Sequence, residues 1–304
     1  MHWFALHRIP ELKISCFIDS DRKKAESFSR KVGAVSFDRV EDLPAGVESA
    51  LIAVSNDLRG PLTQQLLQKG LHVLCEAPMA LSFDECNQMI KASQDFGKSL
   101  MINHSFRFHP PIRELKRLIA EGVLGEIQRV DMALGYKTTG GGVLMDLGCH
   151  LIDLTLWIFG PIQHVEAVSA YEKDSGGNRD VLHSVKVILK TGLSLSIRLS
   201  GSDRLQSYSA DRLENEITVT GSLATCKASF DNPTLVLYQS NTVALCKNKG
   251  ARFTLKGIDR FEGSWRFFVT ACDQKTSLRA MLQHAAETIY WIEKIYQITR
   301  RHSI

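Results

Sequence analysis

No stretch of these 304 residues reaches eighteen consecutive apolar positions, and no charged segment followed by an apolar run opens the chain. A membrane span and a secretory signal are therefore not expected. Charge of one sign is scarce as well: 37 basic against 33 acidic residues leave +4, spread along the chain. That balance offers no nucleic-acid surface, and Arg300, Arg301 and His302 read as a solvated helix end. Cysteine occurs seven times, an odd number, without a CxxC or any ligand-spaced Cys/His cluster. Neither a structural metal nor a disulfide framework follows, so reduced thiols and a cytoplasmic location are expected. Internal repeats and low-complexity tracts are also absent.

What the chain does have is 44% hydrophobic residues at ordinary charge content, and enough length for two domains. Apolar runs over 12–18, 34–37, 47–54, 71–75 and 99–103 alternate with amphipathic helical patterns over 20–32, 60–69 and 82–96. Such alternation predicts βαβ units and a parallel sheet over residues 1–104. Ser82, with Glu85 three residues on, reads as a helix N-cap. Beyond a helix over 111–121 the texture changes to short strand-like runs, over 126–135, 164–171, 182–189, 194–200, 216–220, 224–230 and 234–239. A long helix over 278–298 follows. Residues 105–304 are thus expected to form an α+β domain with an open, mainly antiparallel sheet, the last helix packing back on the first domain.

Within that second part stands GGGVLMDLGCHLIDLTLWIFG, residues 140–160. Read as one α-helix, it aligns Asp146, His150 and Asp153 at i, i+4 and i+7 on one face of an otherwise apolar, buried rod. Buried ionisable groups are costly unless paired. Two readings stay open: a satisfied core pair in which Asp146 accepts from His150, or a histidine that passes protons to a substrate.

The motifs, in order, resemble the glucose-fructose oxidoreductase/inositol dehydrogenase/MocA group of NAD(P)-dependent oxidoreductases. HVLCEAP (72–78) is similar to HVxxEKP, and ALIAVSNDLR (50–59) to a strand ending in ATPNxxH. The 111–125 helix with its Gly-Val-Leu-Gly is similar to LKxxIxxGxIG, and 140–160 to GGGxxxDxGxHxxDxxxxxxG. The resemblance implies a Rossmann-type domain and NAD, with NADP as a variant, acting on a sugar, polyol or related carbonyl compound. It implies His150 as the proton-transfer residue and Asp146 as its orienting partner. Ser55, Asn56, Glu76 and Pro78 would lie along the cofactor, and Arg107 on the substrate side. Asp19 would bind the adenosine ribose, although an N-cap of the 20–32 helix is an equally ready role. A homo-oligomer, dimer or tetramer, is also implied.

Three departures fall on the site. No GxGxxG occurs, and residues 1–13 look like the segment just after such a loop, so the first strand and its glycine turn are missing from this sequence. That strand would sit between the runs at 12–18 and 47–54, whose edges would be left unpaired. Ala77 stands where the group has the EKP lysine; Lys137 is a candidate substitute. Finally, only some ten residues separate Gly135 from Asp146, a shorter loop than the group usually has, which implies an open site, a larger substrate or no catalysis. The enzyme reading therefore stands beside that of a pseudoenzyme serving in binding, regulation or assembly.

Overall fold

The computed structural model describes residues 1–136, 142–174, 177–201, 215–239, 251–255 and 257–301. The first unit comprises α1 (His2–Leu6), β1 (Cys16–Ile18), α2 (Arg22–Val32), β2 (Val35–Phe37), β3 (Ser49–Ile52), α3 (Asn56–Gln68), β4 (His72–Glu76), α4 (Phe83–Asp95) and β5 (Leu100–Asn103). All its strand pairs are parallel, but they fall into two sheets, β1-β2 and β3-β4-β5. No described strand joins β1 to β3, so the break lies where the sequence places a missing strand.

Local chemistry sets the helix boundaries. Ser82 accepts from the Glu85 amide at 3.2 Å and starts α4 as its spacing predicts. In α2 the cap is Asp21, not Asp19: Asp21 Oδ1 accepts from the Lys23 and Lys24 amides at 3.1 and 3.3 Å. Asp19 instead accepts the Asp21 amide at 2.9 Å, one turn earlier, because the helix begins two residues later than the pattern implies.

The second unit contains α5 (Pro110–Ala120), β6 (Ile127–Gly135), a π-helical turn (Leu144–Gly148), α6 (Cys149–Ile158), β7 (Ile162–Asp174), β8 (Gly177–Leu189), β9 (Ser194–Ser200), β10 (Glu216–Gly221), β11 (Ala224–Ser229), β12 (Thr234–Gln239), β13 (Ala251–Thr254), α7 (Arg260–Asp273) and α8 (Arg279–Arg301). Its strands form one sheet in the order β13-β12-β11-β10-β6-β9-β8-β7, antiparallel except for the β6–β9 pair. Alternation along β9 and β10 buries Leu195, Ile197, Leu199, Ile217 and Val219, so one face meets the core.

Two elements tie the units together. Along α8, Ile289, Ile292 and Ile295 are fully buried, and Glu293 accepts from the Phe83 amide at 3.0 Å. From α7, Trp265 and Phe268 join Leu74 and Met101 of the parallel sheet and Ala5 of α1 in one cluster. The strand periodicity does not predict α7, yet Asp259, which accepts from the Phe261 amide at 2.9 Å, and Glu262 three residues on carry the N-cap signature that marks its start.

Candidate functional site

The expected single α-helix over 140–160 is corrected by the π turn at Leu144–Gly148. A π turn takes up one extra residue, so positions on either side no longer share a face. Gly148 lies inside it because a Cβ there would meet Leu144 Cδ1 at 2.7 Å and Leu199 Cδ1 of β9 at 3.0 Å. Asp146, inside the turn, is thereby taken out of α-helical register, whereas His150 and Asp153 both lie in α6 and stay together beside His104.

Asp146 turns toward the end of β3 and accepts from Asn56 Nδ2 at 3.3 Å. His150 lies edge-on to the Phe106 ring, with centroids 5.3 Å apart, and its Nδ1 is buried without a partner. Burial first, then His104 and Arg260, hold its pKa down at about 4, so the imidazole is neutral near pH 7. Asp153 is 1% exposed and accepts from Arg107 twice, from Nε at 2.8 Å and Nη2 at 2.6 Å. Burial works to raise the Asp153 carboxyl; the neighbouring His104 and Arg107 outweigh it and keep it below the usual carboxylate range.

Arg107 is thus neither on the surface nor open to a ligand, since its side chain is 5% exposed and also reaches His284 Nδ1 at 3.3 Å. An arginine fork and a carboxylate satisfy one another in two parallel bonds, which explains why the pair can be buried. His104, with Nε2 3.7 Å from Asp153, is buried with neither ring nitrogen hydrogen-bonded.

At the carboxyl ends of the strands a second group assembles. Glu76 Oε1 accepts from Asn103 Nδ2 at 2.8 Å and from His2 Nε2. Trp265 Nε1, which can only donate, reaches His2 Nδ1 at 3.0 Å, so the His2 ring hydrogen sits on Nε2. Ser264 Oγ donates to Asn103 Oδ1 at 2.6 Å and closes the chain of bonds. Burial works to raise the Glu76 carboxyl, and the bonds from His2 and Asn103 lower it more. Pro78 is buried, and its carbonyl accepts from Arg59 Nη1 at 3.0 Å, while Arg59 Nε donates to the Val54 carbonyl at 3.0 Å. Arg59 thereby clamps the ends of β3 and β4 together. Ser55 is exposed at the head of α3 and makes no side-chain cap bond.

Asp19 lies at the end of β1, on the other sheet fragment. Lys137 falls outside the described residues. Among the described residues no cluster of His, Cys, Asp and Glu could hold a metal ion. Sequence reasoning missed Arg59, Asn103, His104 and the α7 residues Arg260 and Ser264. The one local signal that could have led to any of them is the Asp259 cap, with Glu262 three residues on, which marks the start of α7.

Comparison with known proteins sets this geometry in context. A family model described as an oxidoreductase family with an NAD-binding Rossmann fold matches residues 1–104, and one for the GFO/IDH/MocA C-terminal domain matches 112–227. Glucose-6-phosphate 3-dehydrogenase of Bacillus subtilis is 30% identical over 176 residues, 52% of this chain and 50% of that protein. D-glucoside 3-dehydrogenase of Escherichia coli is 27% identical over 177 residues, 53% and 50% of the two. The chain spans about half the length of these curated relatives. A 3-ketoreductase from Actinomadura kijaniata, solved with NADP and TDP-benzene, superposes with a TM-score of 0.83 at 19% identity, covering 96% of this chain and 91% of that one. With the two models matched in order along it, this chain belongs to the GFO/IDH/MocA oxidoreductase family.

Proposed function

We propose that this chain is an NAD(P)-dependent oxidoreductase acting on a hydroxyl- or carbonyl-bearing carbon of a sugar or polyol. The observation that carries the reading is His150: a neutral imidazole with an unpartnered buried nitrogen, within electrostatic reach of the strand-end carboxylate Glu76. In the oxidising direction its ring accepts the hydroxyl proton. An imidazole of such low pKa is unprotonated in nearly every molecule at neutral pH, although it holds the proton weakly. Asp146, itself held by Asn56, orients the substrate hydroxyl. The nicotinamide, when bound, supplies the hydride acceptor.

The residues on the ribose and nicotinamide sides fit such a cofactor. Asp19 has one carboxylate oxygen bonded to its own turn and another left for a ribose diol. Ser55 has a free hydroxyl, and Asn56 stands at the same strand end. Glu76 and Pro78 shape the inner end of the cleft. No phosphate cradle is assigned to the residues of this sequence, which holds no GxGxxG. We assign cofactor binding to residues 1–104, and substrate binding and assembly to 105–304. A cytoplasmic homo-oligomer, dimer or tetramer, built on the open sheet face completes the reading. The two curated relatives named above support a C3 hydroxyl of a hexose as the reacting group.

Ala77 favours a second reading, a binding protein without turnover, because acid–base help from a positioned side chain is worth about 10²–10⁴-fold. Thermal melting with millimolar NADH or NADPH, followed by a turnover assay on hexoses, separates the two. At a hundred times Kd the cofactor should add about 2.7 kcal/mol, or roughly 5 °C for a chain this long. A rise without turnover selects the second reading. No rise with either nucleotide, and no turnover, defeats the first.

A further inference from the structure

A pocket of about 320 Å³ has His109, Asp231, Asp259 and Arg260 of α7 in its wall. The guanidinium lies over the Phe106 ring at 4.3 Å and near Phe261 at 5.3 Å. Its Nη1 is buried without an acceptor, and no carboxylate pairs with Arg260 among the described residues. Burial pulls the guanidinium's pKa down and the charges of Tyr136, Asp259, Asp231 and Glu76 offset that only in part, so Nη1 keeps an unmet demand for an acceptor.

The pocket's own carboxylates are already engaged elsewhere. Asp231 accepts from the Tyr136 hydroxyl, and from Asn215 Nδ2 at 3.1 Å. Asp259 accepts from the Phe261 and Glu262 amides at the start of α7, at 2.9 and 3.4 Å. His109 donates from Nε2 to the Ser229 carbonyl at 3.1 Å. The buried Nη1 of Arg260 is therefore the unmatched element of this wall. It lies close to the reacting position, because Phe106, which Arg260 covers, is the same ring that His150 meets edge-on at 5.3 Å. The Phe106 ring is thus contacted both by this guanidinium and by the proposed base.

We propose that Arg260 anchors an anionic group of the substrate, so that the chain selects hexoses carrying a phosphate monoester or a carboxylate over neutral ones. The proposal rests on the reading that a sugar binds beside His150. Asp231 and Asp259 then exclude a second anion and leave hydroxyl-accepting edges for the ring.

Calorimetry on the full chain without cofactor tests this, using glucose, glucose 6-phosphate, glucuronate and inorganic phosphate as probes. Charge-assisted bonds should make at least one anionic sugar bind about tenfold or more tightly than glucose. Inorganic phosphate should compete with it, and whichever anion is preferred identifies the group. Arg260→Gln should abolish the preference, and Arg260→Lys should retain part of it. Should the glutamine variant not fold, phosphate competition in the unaltered chain decides. Equal binding of glucose and both anions, no binding of either anion, a preference surviving Arg260→Gln, or no competition by phosphate would each overturn the proposal. Melting shifts with NADH and NADPH, and turnover, are read separately: anion preference with no shift by either nucleotide and no turnover upholds this proposal while defeating the dehydrogenase reading. A shift without anion preference does the reverse.

Discussion

Replacing Asp153 with alanine would strand Arg107, and the size of the effect follows from where the pair sits. The two side chains are 1% and 5% exposed, joined by bonds of 2.8 and 2.6 Å, with the Trp157 ring 5.6 Å from the guanidinium carbon. Breaking one half of a buried pair typically costs about 3–5 kcal/mol, because the remaining charge keeps its desolvation penalty and loses its partner. For a chain of this length that corresponds to a fall in Tm of roughly 5–10 °C. The pair also fixes α6 against the 105–108 turn, three residues past His150, so turnover should fall along with stability. Replacing both residues with leucine or methionine should recover most of the loss, since a packed apolar pair of similar volume costs little. Urea unfolding followed by circular dichroism, on both single variants and the double, measures all three quantities. If Asp153→Ala costs under about 1 kcal/mol, or the double variant is no better than either single one, the pair is not the structural anchor argued above.

Other consequences are equally open to measurement. A folded-state His150 pKa of about 4, below its ordinary 6.5, means that only the unfolded chain takes up this proton between those values. Stability should therefore be flat above pH 6.5 and fall by up to about 1.4 kcal/mol per pH unit as pH drops toward 4. His150→Gln should flatten that slope; an equally steep profile in the variant refutes the assignment. Gly221→Ala places a Cβ 2.1 Å from the Leu124 carbonyl oxygen, a backbone atom that cannot step aside, and should cost about 1–3 kcal/mol in thermal unfolding. Asp21→Ala should remove the α2 cap at about 1 kcal/mol with NADH binding intact. Asp19→Ala should do the opposite, weakening the NADH-induced melting shift at smaller structural cost; equal behaviour of the two variants would deny Asp19 a ligand role.

Much of the architecture was legible from one dimension. Alternating apolar runs and amphipathic helices predict the parallel unit, and short runs with tight turns predict the open sheet, because period and punctuation are local properties of the backbone. The Ser82 cap is local in the same sense, its partner being three residues away. The site was less legible. Spacing singles out Asp146, His150 and Asp153, yet the π turn that takes Asp146 out of register with the other two answers to Leu199, a residue of another element. Arg107 meets Asp153 46 residues on, and Ser264 reaches Asn103 across 161.

By itself the sequence determined the element types, their order and the family resemblance, since these follow from hydrophobic period, capping residues and short contiguous motifs. Only the tertiary structure decided which polar side chains are spent on one another and which remain for a ligand. It buried Arg107 in a satisfied pair and left Arg260 unmatched in a pocket wall. The physical reason is that the cost of a buried charge depends on partners brought together by folding over long separations, which no local pattern encodes.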